Sequence, residues 1–336
     1  MEYRILTWNI NQATNRFGTN RIPELVGESI LERKAELVVL TEFCFCKNTQ
    51  EFLENYLEEQ GYDYFPRKDM YQSEDRQNMV LLAWKKEFFE PVGSIEETAW
   101  HAKTTKTNNV PNFARVNLKD KQGIEFTLAG VRITMASRIT ANCGEEELRE
   151  QQFQEQATLR REQMEYVLRS LQGFSRVVVV GDFNNYRRGT SCRDWNVNYL
   201  NCGLPFEVHT PMGQSIYEEK ATSPDYEFAE DHFMTAGCNI KFCRYDRTFT
   251  KNDPEIYSQG SNFCLYDQEN NKVTWRIPYG CGYPDHAILI GELDLLKTPS
   301  NTYVCSKCGR EFETNGYSIP PYCDECGDFV RYLPYQ

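Results

Sequence analysis

The segment Arg176-Val177-Val178-Val179-Val180-Gly181-Asp182 constrains the fold of this chain more than any other. Side chains alternate faces along a strand, so four successive valines with no polar alternate call for cover on both faces. The run reads as a central strand of a layered α/β protein. A length of 336 residues exceeds what one core usually fills, so one large domain and something small beside it are expected. Hydrophobic residues make up 40% of the chain, enough for such a core and too many for a disordered protein.

The flanking pattern supplies neighbours for that strand. Tyr3 to Asn9 alternates and is rich in β-favouring residues, which predicts a strand almost from the first residue. Helical spacing over 22–34 leads to a strand over 36–42, and a second helix over 49–59 leads to short strands at 62–66 and 78–84. Strands near 112–118 and 124–133 flank the turn signal Lys121-Gln122-Gly123, and a long helix over 146–172 delivers the chain to the valine run. Segments 185–227 and 240–283, rich in Asn, Gly, Asp and Tyr, read as surface excursions between short strands at 228–235 and 286–294.

These strands end unusually. Asn9 closes the first, Glu42 the second and Asp182 the valine strand; Asp285-His286 opens the last, and Asp231-His232 interrupts the apolar segment Phe228–Met234. Taken singly, Asp or Asn after a strand is an ordinary turn former and Glu an ordinary solvated end. Five together, at positions a rigid scaffold would fix, point to a site.

Thr7-Trp8-Asn9-Ile10-Asn11, Thr41-Glu42, Gly181-Asp182-Phe183-Asn184, Glu230-Asp231-His232-Phe233 and Pro284-Asp285-His286, in this order and rough spacing, resemble the motifs of the endonuclease/exonuclease/phosphatase superfamily. The resemblance covers about residues 1–296. It implies two packed mixed β-sheets flanked by helices, a four-layer sandwich, and hydrolysis of a phosphate ester. That chemistry requires charge neutralised on the nonbridging oxygens, an activated in-line water and a stabilised leaving oxygen. Hard carboxylate ligands with open positions suit Mg²⁺ or Mn²⁺.

By resemblance, Glu42 is the main ligand for Mg²⁺, with Asn9 and Asp285 beside it, while Asp182 and Asn184 orient the attacking water and the phosphate. His286, paired with Asp285, is implied as general base or charged phosphate stabiliser, a role that suits imidazole. Asp231 is implied as support for that histidine or the metal; His232 reads as packing or as a support behind the site. Two positions depart from the superfamily pattern. Arg132 stands where many members carry His or Tyr; it can grip a phosphate bidentately but cannot shuttle a proton near neutrality. Asn11 replaces an acidic ligand of some members, so one metal ion is expected rather than two.

After a linker at 297–301, Cys305-Ser306-Lys307-Cys308 and Cys323-Asp324-Glu325-Cys326 form two Cys-x-x-Cys knuckles, each followed by glycine. Four thiolates at this spacing satisfy a tetrahedral Zn²⁺, and the tail, 302–336, resembles a rubredoxin-like zinc ribbon. An iron site and a redox dithiol pair are the competing readings. A protein contact is expected of the ribbon before a nucleic-acid contact. Thirteen cysteines is an odd number in a long chain, which with these knuckles argues for a reducing, cytoplasmic compartment rather than a disulfide framework. No run approaches the roughly 20 apolar residues that cross a bilayer, and no membrane partner is expected.

The net charge of −12 argues against a protein that coats nucleic acid nonspecifically, but not against a nuclease with a local basic grip. Arg187, Arg188 and Arg193 follow Asn184 and suit a polyanionic backbone, or form a solvated loop. Trp275 and Tyr283 precede Asp285 and could stack on exposed bases, or pack a long loop. The sequence therefore suggests a nuclease acting on DNA or RNA. A phosphatase or phosphodiesterase for inositol phosphates, lipid head groups or nucleotides is the alternative, and a catalytically inactive binding module of the same fold is the other.

Overall fold

The computed structural model describes residues 2–10, 21–43, 47–67, 79–99, 111–133, 146–184, 206–211, 215, 230–246, 263–266, 272–275, 286–296, 302–305, 311–313 and 330–332. In chain order the first sheet gathers β1 (Glu2–Asn9), β2 (Leu37–Phe43), β3 (Tyr62–Phe65) and β4 (Met79–Lys85), with α1 (Arg21–Arg33) and α2 (Lys47–Glu59) between them. The second gathers β5 (Phe89–Ala99), β6 (Asn112–Asp120) and β7 (Glu125–Arg132). After α3 (Glu146–Ser170) it adds β8 (Val177–Asp182), β9 (Glu207–His209) and β10 (Asp231–Ala236). The chain then returns to the first sheet with β11 (Asn239–Asp246), forms a separate hairpin of β12 (Phe263–Tyr266) and β13 (Lys272–Trp275), and closes the first sheet with β14 (Ile288–Asp294).

The two six-stranded sheets are built alike, in the orders β11-β14-β1-β2-β4-β3 and β5-β6-β7-β8-β10-β9. In each, the two middle strands run parallel, β1 with β2 and β7 with β8, and every other pair is antiparallel. Parallel neighbours need a crossover, and α1 and α3 lie in sequence where those crossovers occur.

Alternate residues of the middle strands enter different layers. Ile5, Leu37 and Val39 face Ala114, Leu128, Val178 and Val180 between the sheets, joined by Val80, Leu82 and Phe233. Leu6, Trp8, Val38 and Leu40 pack instead on Val26 and Ile30 of α1 and Leu53 and Leu57 of α2. Val177 and Val179 pack on Met164, Val167, Leu168 and Leu171 of α3. The order is helix, sheet, sheet, helix, and each fully buried Val, Leu or Ile stabilises it by about 1.5–3 kcal/mol. The all-valine strand follows from this: neither of its faces meets water.

Four identical residues cannot set their own register, because a one-residue slip places a valine on either face. Gly181 sets it. Its φ is 144°, and a Cβ there would lie 2.1 Å from the carbonyl oxygen of Val131 on β7, so only glycine fits opposite that residue. Register fixed at Gly181 fixes Asp182 beside Arg132.

The excursions expected at 185–227 and 240–283 contain strands. β11 is an edge strand with one exposed face carrying Lys241, Arg244 and the 53%-exposed Phe242, so its apolar signal is diluted. β9 is three residues long, below the reach of periodicity. β5 is an edge strand carrying Pro91 and Gly93, residues that read as a turn, and its pairing with β6 shifts register between Pro91 and Glu96. In the tail, β15 (Thr302–Cys305) pairs antiparallel with β16 (Glu311–Glu313) and β17 (Val330–Tyr332). Cys305 ends β15; Cys308, Cys323 and Cys326 lie outside the described residues.

Candidate active site

The site follows from strand direction. Parallel β1 and β2 end on the same edge of the first sheet, presenting Asn9 and Glu42; parallel β7 and β8 end on the same edge of the second, presenting Arg132 and Asp182. Antiparallel strands begin where these end. Asp231, first residue of β10, pairs with Asp182, and His286 precedes β14, whose Leu289 pairs with Thr7 of β1. The carboxyl ends of parallel strands, where the chain leaves the sheet, are the usual ligand crevice of α/β folds.

Glu42 is aimed by distortion. The pairing of β2 with β4 shifts register between Leu40 and Phe43, and Glu42 lies in the left-handed region with φ 52°. A bulge re-aims a side chain in this way, and a non-glycine residue held there costs about 1–3 kcal/mol, which the surrounding structure must offset. The Glu42 carboxylate meets the Arg132 guanidinium from the opposite sheet, with Nη2 2.5 Å from Oε1. Burial pushes this carboxyl up, but Arg132 and then His286 outweigh burial and hold it below the usual range.

Asp182 is held at both oxygens. Its Oδ1 accepts from the Asn184 backbone N–H at 2.8 Å; its Oδ2 accepts from Asn9 Nδ2 at 3.0 Å and Asn184 Nδ2 at 3.2 Å. Asn184 also lies in the left-handed region, with φ 48°, and donates Nδ2 to the Ile133 carbonyl at 2.5 Å. Burial raises the Asp182 carboxyl against the opposing charges of His286 and Arg132. Asn9 joins the two halves, since its Nδ2 also lies 3.3 Å from His286 Nε2.

His286 is oriented from the other side. Its Nδ1 lies 2.7 Å from Asp231 Oδ2, both side chains buried. Burial first, and the charge of Asp182 later, push Asp231 up to about 6, with His286 opposing. The Trp8 indole donates to the His286 carbonyl at 2.9 Å, Ser215 accepts the Ala287 N–H at 2.6 Å and the Glu230 N–H at 2.7 Å, and the Tyr245 hydroxyl donates to the Asp231 carbonyl at 2.7 Å. Sequence reading did not single out Ser215 or Tyr245: each acts on backbone of a residue distant in sequence, and nothing local marks it. Trp8 sits inside the first motif and could have been found there. His232 packs, as expected, with its ring centroid 5.6 Å from that of Phe183 and Nδ1 2.8 Å from Thr210 Oγ1.

The site thus brings together Asn9, Glu42, Arg132, Asp182, Asn184, Asp231 and His286. Asp285, Arg187, Arg188, Arg193, Asn11 and Tyr283 lie outside the described residues, and of Trp275 only its place in β13 is described. Among the described residues the carboxylate that meets the His286 ring is that of Asp231. Among the described residues no group of three or more His, Cys, Asp or Glu is spaced to hold a metal. Mg²⁺, however, takes one or two carboxylates and completes its shell with water and phosphate, so the Glu42 carboxylate fits such an ion, with the Asn9 side chain beside it.

Two mixed six-stranded sheets faced by helices are the endonuclease/exonuclease/phosphatase fold. Solved structures agree. An endonuclease/exonuclease/phosphatase family protein from Bacteroides thetaiotaomicron superposes with a TM-score of 0.54 at 14% identity, covering 88% of this chain and 99% of that one. The mannosyl-6-phosphatase of the same organism gives 0.52 at 15% identity over 87% and 99% of the two chains. D. rerio TDP2 complexed with a single-strand DNA product gives 0.51 at 12% identity over 87% and 99%. No protein-family model matches the sequence, and no curated protein matches it.

Proposed function

We propose that this chain is a divalent-metal-dependent phosphodiesterase acting on nucleic acid. The observation that carries this reading is the convergence of Asn9, Glu42, Arg132, Asp182, Asn184, Asp231 and His286 on one edge of two sheets, each held by named hydrogen bonds or an ion pair. Glu42 and Asn9 would hold Mg²⁺ or Mn²⁺, with Asp285 as a further ligand. When bound, the ion withdraws charge from the phosphate and the leaving oxygen.

The chain's own groups do the rest. Asp182, buried and raised in proton affinity, takes the proton of the attacking water while Asn9 and Asn184 fix both its oxygens. His286, held by Asp231 at Nδ1, turns Nε2 toward the Asn9 side of the site and, when protonated, donates to a nonbridging oxygen. Arg132 grips a second nonbridging oxygen, and Arg187 and Arg188, which follow Asp182 in the chain, extend the grip along a polyanion.

Nucleic acid is favoured by those arginines and by the fold-mate that carries a DNA product. The net charge of −12 favours a small footprint, such as a strand end or an exposed loop, over an extended one. The test is hydrolysis of single-stranded DNA, plasmid DNA, RNA, inositol phosphates and a sugar phosphate, each with Mg²⁺, Mn²⁺ or chelator. Metal-dependent cleavage of a nucleic acid is the expected result; cleavage of the monoesters alone would assign a phosphatase instead.

For the tail we propose a structural Zn²⁺ on Cys305, Cys308, Cys323 and Cys326, with the catalytic unit at 1–296 and the ribbon at 302–336. The paired knuckles and the short antiparallel sheet whose first strand ends at Cys305 support it.

A further inference from the structure

Arg132 sits against the carboxylate proposed as the chief metal ligand. Its Nη2 lies 2.5 Å from Glu42 Oε1, and the two side chains are only 15% and 13% exposed, so this is a cation already seated on the chief candidate ligand. The seat is exacting on both sides. Glu42 reaches it through a bulge and a left-handed backbone, and Arg132 reaches it from the strand next to Asp182, across from one sheet to the other. Yet the guanidinium is only partly committed. Its Nε is buried, makes no hydrogen bond among the described residues, and is held only by a longer ion pair, 3.7 Å from Asp182 Oδ2. A guanidinium with an unused buried donor, facing the site from the end of β7, is equipped to accept an oxyanion.

A divalent ion on Glu42 and a guanidinium on the same carboxylate repel each other in a partly dry site. We propose that Arg132 is a resident counter-ion of Glu42 that a divalent cation displaces, and that the released guanidinium then takes a nonbridging oxygen of the substrate phosphate. Metal and phosphate therefore bind with positive coupling through one side chain, and Glu42 stays paired when the metal is absent. This rests on the phosphodiesterase reading and adds an order of events to it: metal first opens the phosphate grip.

The test is calorimetric titration of the full chain with Mn²⁺ alone, then with inorganic phosphate in the presence and absence of Mn²⁺. Arg132→Gln should bind Mn²⁺ at least about tenfold more tightly than wild type, since a charge-assisted competitor has been removed. Glu42→Gln should lose Mn²⁺ binding. In the wild type, Mn²⁺ and phosphate should each raise the affinity of the other by the same factor, and that factor should shrink in Arg132→Gln. Mn²⁺ affinity unchanged or weakened in Arg132→Gln overturns the exchange, as does absence of coupling in the wild type. Mn²⁺ affinity unchanged in Glu42→Gln overturns the metal-site reading itself. Arg132→Met keeps the apolar stem and takes the place of Arg132→Gln if that variant does not fold.

Discussion

At the scale of single residues the site is a set of buried charges whose proton affinities pull in opposite directions. Asp231 is raised to about 6, chiefly by burial, whereas Arg132 and His286 together hold Glu42 low against its burial. An unfolded Asp titrates near 3.9, so the folded state binds the Asp231 proton more tightly. Its contribution to stability is full below about pH 4 and is lost as pH rises through about 6. Glu42 works the other way, with stability present above the unfolded value and lost as pH falls through the folded one. Asp231→Asn should therefore gain stability relative to wild type as pH rises from about 4 to 6, read as melting temperatures by scanning calorimetry; a pH-independent difference would contradict this. The positions of Asn9, Glu42, Asp182 and His286 were legible in the sequence because each closes or opens an apolar strand. The Glu42 contact of Arg132 was not, because residues 90 apart in sequence meet only when two sheets stack. The left-handed backbone of Glu42 is invisible for a similar reason: no local glycine or asparagine announces it.

At the scale of elements the two sheets repeat one plan, a parallel pair with antiparallel strands on either side, and the site lies where the two parallel pairs end. Their approach depends on Gly130. A Cβ there would lie 2.4 Å from Val80 Cγ1, 2.7 Å from Val39 Cγ1 and 2.8 Å from Leu82 Cδ2, all side chains of the opposite sheet. Gly130→Ala should cost about 1–3 kcal/mol by overpacking and lower turnover through Arg132, two residues on. Urea denaturation within about 0.5 kcal/mol of wild type would remove Gly130 from this role. The middle strands and the helices were legible because cover on both faces, or helical spacing, leaves a dense apolar signal. Edge strands β5 and β11 were not, since one wet face halves that signal and Pro91 and Gly93 mimic a turn.

For the whole molecule, chain order matters as much as layers. β14 sits between β11 and β1, so the first sheet is complete only when residues up to Asp294 are present. A chain ending at Leu296 should fold and hydrolyse substrate like the full chain, while one ending before β14 should not fold. Zinc analysis should find one ion per full chain, lost in Cys305→Ser/Cys308→Ser; a full-length zinc content untouched by those changes would contradict a ribbon. The four-layer plan was legible through resemblance and the valine run together, whereas substrate choice is written in loops where neither periodicity nor motif reaches. The most direct measurement is turnover of a bis-aryl phosphodiester by the wild type, Asp182→Ala and His286→Ala, with Mg²⁺ and with chelator, alongside thermal melts. Metal-dependent wild-type turnover, reduced by about a hundredfold or more in each variant with cooperative melting retained, is the predicted result. A wild type inert on every phosphate ester, or folded variants that keep its rate, would contradict it.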